Sequence, residues 1–161
     1  MKIKLFEGRK GEEGSALVEL ALSLPMLSIM LLGAAEFARI AYAAIEVTNA
    51  AHSAAVYAAS SQAALADTTG ISSAASGDSP NLIGGNAISV VTPITTSCTC
   101  SNTSYTPSSC SDNQTCQNGH SSLITAVTVQ TQTTFSPAIS LPGWKPTITL
   151  MGKSTEVVSN Q

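Results

Sequence analysis

The longest apolar stretch of the chain lies near its N-terminus. Leu20 to Ala35 carries no charged residue, and the stretch extends back to Ala16 if Glu19 is included. A helix over 16–35 is about 30 Å long at about 1.5 Å per residue, which matches the hydrocarbon core of a bilayer. The pattern therefore predicts one membrane-spanning helix. Pro25 lies inside it and predicts a kink, because proline lacks the N–H that a helical turn uses.

Small apolar residues recur at helical spacing beyond this span. They are Ile40, Ala44, Val47, Ala51, Ala54 and Ala58. Steps of four and three residues place them on one narrow face of a helix, which is typical of close packing. Because no strong helix breaker occurs before Gly70, the pattern predicts a single long helix over 15–67. Residues 68–86 are rich in Gly, Ser, Asn and Pro and predict a linker loop.

The second half of the chain shows the alternation that is typical of strands. Val, Ile and Thr dominate 87–95, 122–135 and 146–158, which we predict to be three strands. The alternation breaks near Val127, where we expect a bulge. The predicted fold class is α+β, with a long N-terminal helix followed by a small antiparallel β-sheet in a domain over 87–161.

All four cysteines lie between the first two predicted strands. They are Cys98, Cys100, Cys110 and Cys116. A bridge between Cys98 and Cys100 is unfavourable because they are too close in an extended segment, and the remaining pairings stay open. Zinc is the alternative, since His120 lies nearby, but Cys-x-Cys and Cys-x5-Cys are not the usual zinc spacings. We expect a disulfide-containing loop and neither a metal site nor a cofactor.

Basic residues are distributed asymmetrically about the apolar span. Those before it are Lys2, Lys4, Arg9 and Lys10, and those after it are Arg39, Lys145 and Lys153. This asymmetry predicts a cytoplasmic N-terminus and an external C-terminal domain. A cleaved signal peptide is an alternative, but its candidate site, Ala-Tyr-Ala at 41–43, lies too far beyond the apolar run. An ordinary membrane anchor is the stronger alternative.

Composition and motifs exclude two classes of function. A net charge of −3 without a basic cluster in the external domain argues against nucleic-acid binding. The acids of the second half are scattered singly, and no nucleophile elbow, phosphate loop or zinc-protease motif occurs. We therefore expect no enzymatic activity.

Glu19 is the residue that an ordinary anchor does not explain. A carboxylate near the end of a membrane helix costs on the order of 2–3 kcal/mol unless it is paired or reaches water. The side chain could reach the interface or interact with the positive end of the helix dipole. A partner of opposite charge is the other explanation.

The sequence around Glu19 resembles a known processing site. Gly14-Ser15-Ala16-Leu17-Val18-Glu19, followed by apolar residues, is similar to the site at which type IV prepilins are cut. The longer string from Gly14 to Ala59 resembles the TadE-like segment of tight-adherence (Flp-type) pilus proteins. It shares the Leu-Pro pair, the Glu-Phe-x-Arg and the Thr-Asn-Ala-Ala of that segment. The resemblance implies cleavage between Gly14 and Ser15 and pairing of Glu19 with the new terminal amine of a neighbouring subunit.

The resemblance also implies a location and partners. Residues 1–14 become a cytoplasmic leader that a prepilin peptidase removes, and 15–67 becomes the assembly helix. The protein is then a single-pass protein of the bacterial inner membrane that meets other pilin subunits and the assembly platform. Main pilins of these systems are much shorter, which implies a minor pilin or pseudopilin. The alternative is a membrane-tethered or filament-tip adhesin that binds through its Ser/Thr-rich surface and has no direct role in assembly.

Overall fold

The computed structural model describes residues 12–82, 84–101, 110, 116, 123–138, 143 and 146–158. The helices are α1 (Glu12–Ala59), α2 (Gln62–Ala66) and α3 (Thr68–Gly77), followed by a 3-10 turn (Gly84–Asn86). The strands are β1 (Ser89–Cys100), β2 (Leu123–Phe135) and β3 (Ile148–Val157). The predicted α+β class is confirmed. His120 and most of the predicted leader lie outside the described residues.

Residues 1–39 form the first of two compact units and contain the start of α1. Here α1 begins at Glu12 and keeps helical backbone through Pro25, so the kink stays a prediction. The large apolar side chains are exposed throughout, from Leu17 to Phe37. Gly14–Ala59 is long and apolar enough to cross a membrane, and none of its most apolar window is buried.

The second unit, 40–161, has an alanine-rich core on the remainder of α1. Of the stripe predicted from the sequence, Val47, Ala51, Ala54 and Ala58 are fully buried. They belong to a buried surface that also includes Ala43, Ala50 and Ala55. Because alanine is short, the sheet lies close to the helix backbone.

The sheet has three antiparallel strands in the order β1-β2-β3. The central strand buries alternate residues, among them Val127, Val129 and Thr131. The Oγ1 of Thr131 donates a hydrogen bond of 2.8 Å to the carbonyl oxygen of Val47 on α1. Gly152 of β3 pairs with Thr131, and a Cβ there would lie 2.8 Å from the carbonyl carbon of Val47. The close contact between helix and sheet therefore requires glycine at 152.

The predicted single helix over 15–67 is wrong at its C-terminal end. α1 ends at Ala59, and a second helix begins at Gln62. The Oγ of Ser61 accepts a hydrogen bond of 3.1 Å from the N–H of Ala64, so this serine caps α2. A serine at an N-cap stabilises a new helix start, and the chain turns here instead of continuing.

The predicted linker loop over 68–86 is also wrong in its first half, because Thr68–Gly77 is α3. Asp67 caps this helix, and its Oδ1 accepts a hydrogen bond of 2.9 Å from the N–H of Gly70. Ile71 and Ala75 lie one turn apart and are completely buried in the core. Burial of these two residues and the cap outweigh the low helix propensity of the Gly/Ser-rich sequence.

The irregularity in the sheet lies opposite Val129, two residues from the predicted position at Val127, but its extra residues are in β1 and not in β2. The register shifts between Val91 and Thr95, which pair with Gln130 and Thr128. Pro93 lies within this shift and has no N–H to donate to the ladder, which explains its position. β1 also continues to Cys100, beyond the predicted end at Thr95. Two of the cysteines are therefore strand residues.

Asp67 joins α1 to α3 through an exposed hydrogen bond. The hydroxyl of Tyr57 donates to its Oδ2 at 2.8 Å. The hydrogen bond from the backbone N–H of Gly70 and, to a smaller extent, the one from the Tyr57 hydroxyl hold the pKa of Asp67 below its ordinary value. The same hydrogen bond raises the pKa of Tyr57. Both shifts favour the ionised aspartate with the neutral tyrosine.

We expect the helix cap at Asp67 to make the free energy of unfolding depend on pH in the acid range. Its contribution is fully present above the ordinary pKa of 3.8 and is lost as the pH falls through the lower pKa of the folded state. In Asp67→Asn the side-chain oxygen can still accept the hydrogen bond from Gly70, but the side chain does not titrate. The stability difference between wild type and variant should therefore shrink from about pH 5 to about pH 2.5, as measured by urea unfolding. A difference that is constant over this range would contradict the expectation.

Candidate processing and assembly site

Gly14 and Ser15 lie in the first turns of α1 and are exposed. A Cβ added at Gly14 would meet no atom within 4 Å among the described residues. Packing in the isolated chain therefore does not require glycine at this position.

Glu19 is exposed on α1, one helical turn after Ser15. Residues four apart lie on the same helix face, so a charge at Ser15 would be close to this carboxylate. No basic residue in the described part of the chain forms an ion pair with it. The resemblance implies a partner for Glu19 on a neighbouring subunit, and the side chain of Glu19 is exposed in the isolated chain.

Glu36 and Arg39 form the ion pair that their spacing predicts. The Nη1 of Arg39 lies 3.0 Å from the Oε1 of Glu36, and it donates to both carboxylate oxygens. This pair follows the charge-free run that ends at Ala35. Because the side chains are partly exposed, the pair contributes about 0.3–0.5 kcal/mol and serves mainly to mark the end of the apolar segment.

The cysteines pair in an interleaved order that the sequence left open. Cys98 pairs with Cys110, and Cys100 pairs with Cys116, at Cα–Cα distances of 5.7 and 5.8 Å. The prediction of a disulfide-containing loop is confirmed. Both bridges fasten the loop after β1 to the end of that strand, and no cysteine is left free as a zinc ligand.

We expect removal of a matched cysteine pair to cost less than removal of a mismatched one. Cys98→Ser with Cys110→Ser deletes one bridge and should lower the free energy of unfolding by about 2–4 kcal/mol. Cys98→Ser with Cys116→Ser removes one cysteine from each bridge, so both bridges are lost. The free energy of unfolding should then fall by about twice as much. Urea-dependent proteolysis with thiol counting by mass spectrometry measures both effects. Equal losses in the two double variants would contradict the pairing.

Two polar contacts of the second unit were missed by the sequence analysis. The side chain of His52 is 63% exposed, and its Nδ1 lies 3.2 Å from the Oε1 of Glu156. Glu46 is only 5% exposed, and its Oε1 accepts a hydrogen bond of 2.6 Å from the Nδ2 of Asn81. Its Oε2 has no hydrogen-bond partner among the described residues. The sequence feature that indicates the burial of Glu46 is its position directly before Val47, a residue of the predicted apolar stripe.

The described residues contain no group of three or more His, Cys, Asp or Glu side chains that could hold a metal ion. Of the residues singled out from the sequence, Gly14, Ser15 and Glu19 lie on the exposed apolar part of α1, and the four cysteines lie in two pairs.

Comparison with known proteins gives a family match for a segment of α1. Residues 14–56 match the family model described as TadE-like protein. No curated protein and no solved structure gives a significant match. The family match begins at Gly14 and ends within α1, so the sheet and the cysteine loop lie outside it. The resemblance identified from the sequence is confirmed over this segment.

Proposed function

We propose that the protein is a minor pilin or pseudopilin of a tight-adherence pilus, made as an inner-membrane precursor and assembled through α1. The observation that carries the proposal is the TadE-like match over residues 14–56, which starts at the glycine of the proposed cleavage site. The proposed role is structural.

The proposed topology follows from the charge pattern. Residues 16–35 span the membrane, the basic N-terminus stays in the cytoplasm, and the C-terminal domain lies outside. Bridges at Cys98–Cys110 and Cys100–Cys116 support this orientation, since disulfides persist outside the reducing cytoplasm. The partners of the precursor are then the prepilin peptidase, the other pilin subunits and the inner-membrane assembly platform.

The proposed cleavage changes the charge at the start of the helix. Water is added across the peptide bond, Gly14 leaves with a carboxylate, and Ser15 gains a protonated amine. This amine and Glu19 of a neighbouring subunit pair where water is scarce, which removes the penalty of two separate charges. A subunit outside the filament has only its own Ser15 amine near Glu19, and such an exposed pair contributes little, so pairing with a neighbour inside the filament is favoured.

N-terminal sequencing and mass analysis of the protein from membranes and from sheared pili test the proposal, with Gly14→Ala as the comparison. We expect wild type to begin at Ser15 in both fractions. We expect Gly14→Ala to remain in the membrane with its leader intact, because glycine precedes the scissile bond. Since the added Cβ at position 14 would meet no described atom within 4 Å, misfolding does not account for that result.

The same fractions separate the proposal from the alternative of a tethered adhesin. An adhesin without an assembly role should stay in the membrane fraction, and deletion of the gene should leave the pili intact. An intact leader on protein from sheared pili would overturn the processing step. Absence of the protein from sheared pili together with normal piliation in its absence would overturn the assembly role.

A further inference from the structure

β3 is an edge strand whose free side has the properties of a docking surface. Among the described residues it pairs only with β2, on one side. It is ten residues long, without proline and without a shift in register. Long regular edges of this kind present unpaired backbone groups that can accept another strand.

A hydrogen bond at the C-terminal end of β3 shows which of its residues bond to β2. The N–H of Val158 donates to the carbonyl of Thr125 on β2, at 2.7 Å. Backbone groups in an antiparallel strand alternate between its two sides, so the even-numbered residues of β3 bond to β2. The odd-numbered residues therefore direct their N–H and C=O groups to the free side. They include Met151, Lys153, Thr155 and Val157.

The side chains of these residues form an exposed row on the face of the sheet that points away from α1. Met151 is 68% exposed and Val157 is 61% exposed, although both are apolar. Lys153 lies between them, is exposed, and forms no ion pair with any described residue. A strand bound at this edge would therefore carry an acidic residue opposite Lys153 and apolar residues opposite Met151 and Val157.

The other edge of the sheet does not have these properties. β1 carries Pro93 and a register shift, which disrupt strand pairing. A second copy is also disfavoured at β3. When two copies of β3 pair antiparallel in the registers of largest overlap, the Lys153 side chains lie directly opposite or diagonal to each other. Like charges in those positions are destabilising.

We propose that the free edge of β3 binds an extended segment of another protein chain, which adds a strand and places an acidic side chain against Lys153. Backbone hydrogen bonds would provide the binding, and the apolar–acidic–apolar pattern would provide the selectivity. This proposal does not depend on cleavage at Gly14 or on pilus assembly. A lysine on an edge can also prevent pairing, and the experiment distinguishes these two roles.

The probe is a fluorescein-labelled peptide, Thr-Val-Thr-Val-Thr-Glu-Thr-Val-Thr, and the readout is its anisotropy with the full chain in detergent micelles. We expect saturable binding that is lost when alternate amides of the peptide are N-methylated. Exchange of the peptide Glu for Lys should weaken binding about fivefold, and Lys153→Glu in the protein should reverse this preference. Thr95→Glu, at an exposed position on the outer face of β1, is the matched control and should leave the preference unchanged.

Thr155→Pro provides a second variant, because it removes a free-edge N–H without removing a bond to β2, and it should abolish binding. Resistance to proteolysis in urea verifies that each variant is folded. No binding at millimolar peptide, or equal binding of the N-methylated peptide, would overturn the proposal. If the wild-type chain instead self-associates and Thr155→Pro prevents this, the occupant is a second copy and the proposal of a different chain is wrong.

Discussion

Gly152→Ala should lower the free energy of unfolding of the C-terminal unit by about 3 kcal/mol. Overpacking costs about 1–3 kcal/mol, and loss of the Thr131–Val47 hydrogen bond adds about 1 kcal/mol. The added methyl group would lie 2.8 Å from the carbonyl carbon of Val47 and 2.9 Å from the Oγ1 of Thr131. Neither neighbour can move easily, since one is helix backbone and the other is completely buried.

Gly77→Ala is the matched control for this substitution. Gly77 is the last residue of α3, and a Cβ there would meet nothing within 4 Å among the described residues. Alanine at this position should be neutral or stabilise by up to about 1 kcal/mol. Proteolysis of the full chain across a urea gradient, in detergent, compares both variants with wild type. Wild-type stability for Gly152→Ala would show that α1 can move away from β3 at little cost.

The elements that the sequence predicted well are those with a strong period. The apolar run to Ala35 and the Val-, Ile- and Thr-rich segments 122–135 and 146–158 each follow one geometric rule over many residues. Helix ends and α3 depend on weaker and more local interactions. Ser61 and Asp67 act as caps, but a serine or an aspartate in a polar segment is equally common in a loop.

Contacts between distant residues were not predictable from spacing. The pairing of Cys98 with Cys110 depends on β1 extending to Cys100, and the sequence predicted that this strand ends at Thr95. The burial of Glu46 depends on Asn81, which is far away in the chain. In the candidate site, physical reasoning alone identifies only Glu19 as unusual. The roles of Gly14 and Ser15 come from the family resemblance.

Glu19→Ala should prevent incorporation into pili while leaving insertion and cleavage intact. Removal of the carboxylate makes the apolar segment easier to insert. The Ser15 amine of a neighbour would then lose its counter-charge, and an unpartnered buried charge costs about 3–5 kcal/mol. We therefore expect the variant to begin at Ser15 in the membrane and to fall by more than about tenfold in the sheared fraction, measured by quantitative mass spectrometry.

Two further substitutions test whether charge is the cause. Glu19→Gln keeps the size and hydrogen-bonding capacity of the side chain without its charge, so it should fail as Glu19→Ala does. Glu36→Ala removes the acid that directly follows the apolar run and pairs with Arg39 at 3.0 Å, and this variant should be incorporated normally. If Glu19→Gln assembles like wild type, then a hydrogen bond suffices and no ion pair between subunits forms. If Glu36→Ala fails equally, then the helix requires an acid near each end, and Glu19 has no special role in assembly.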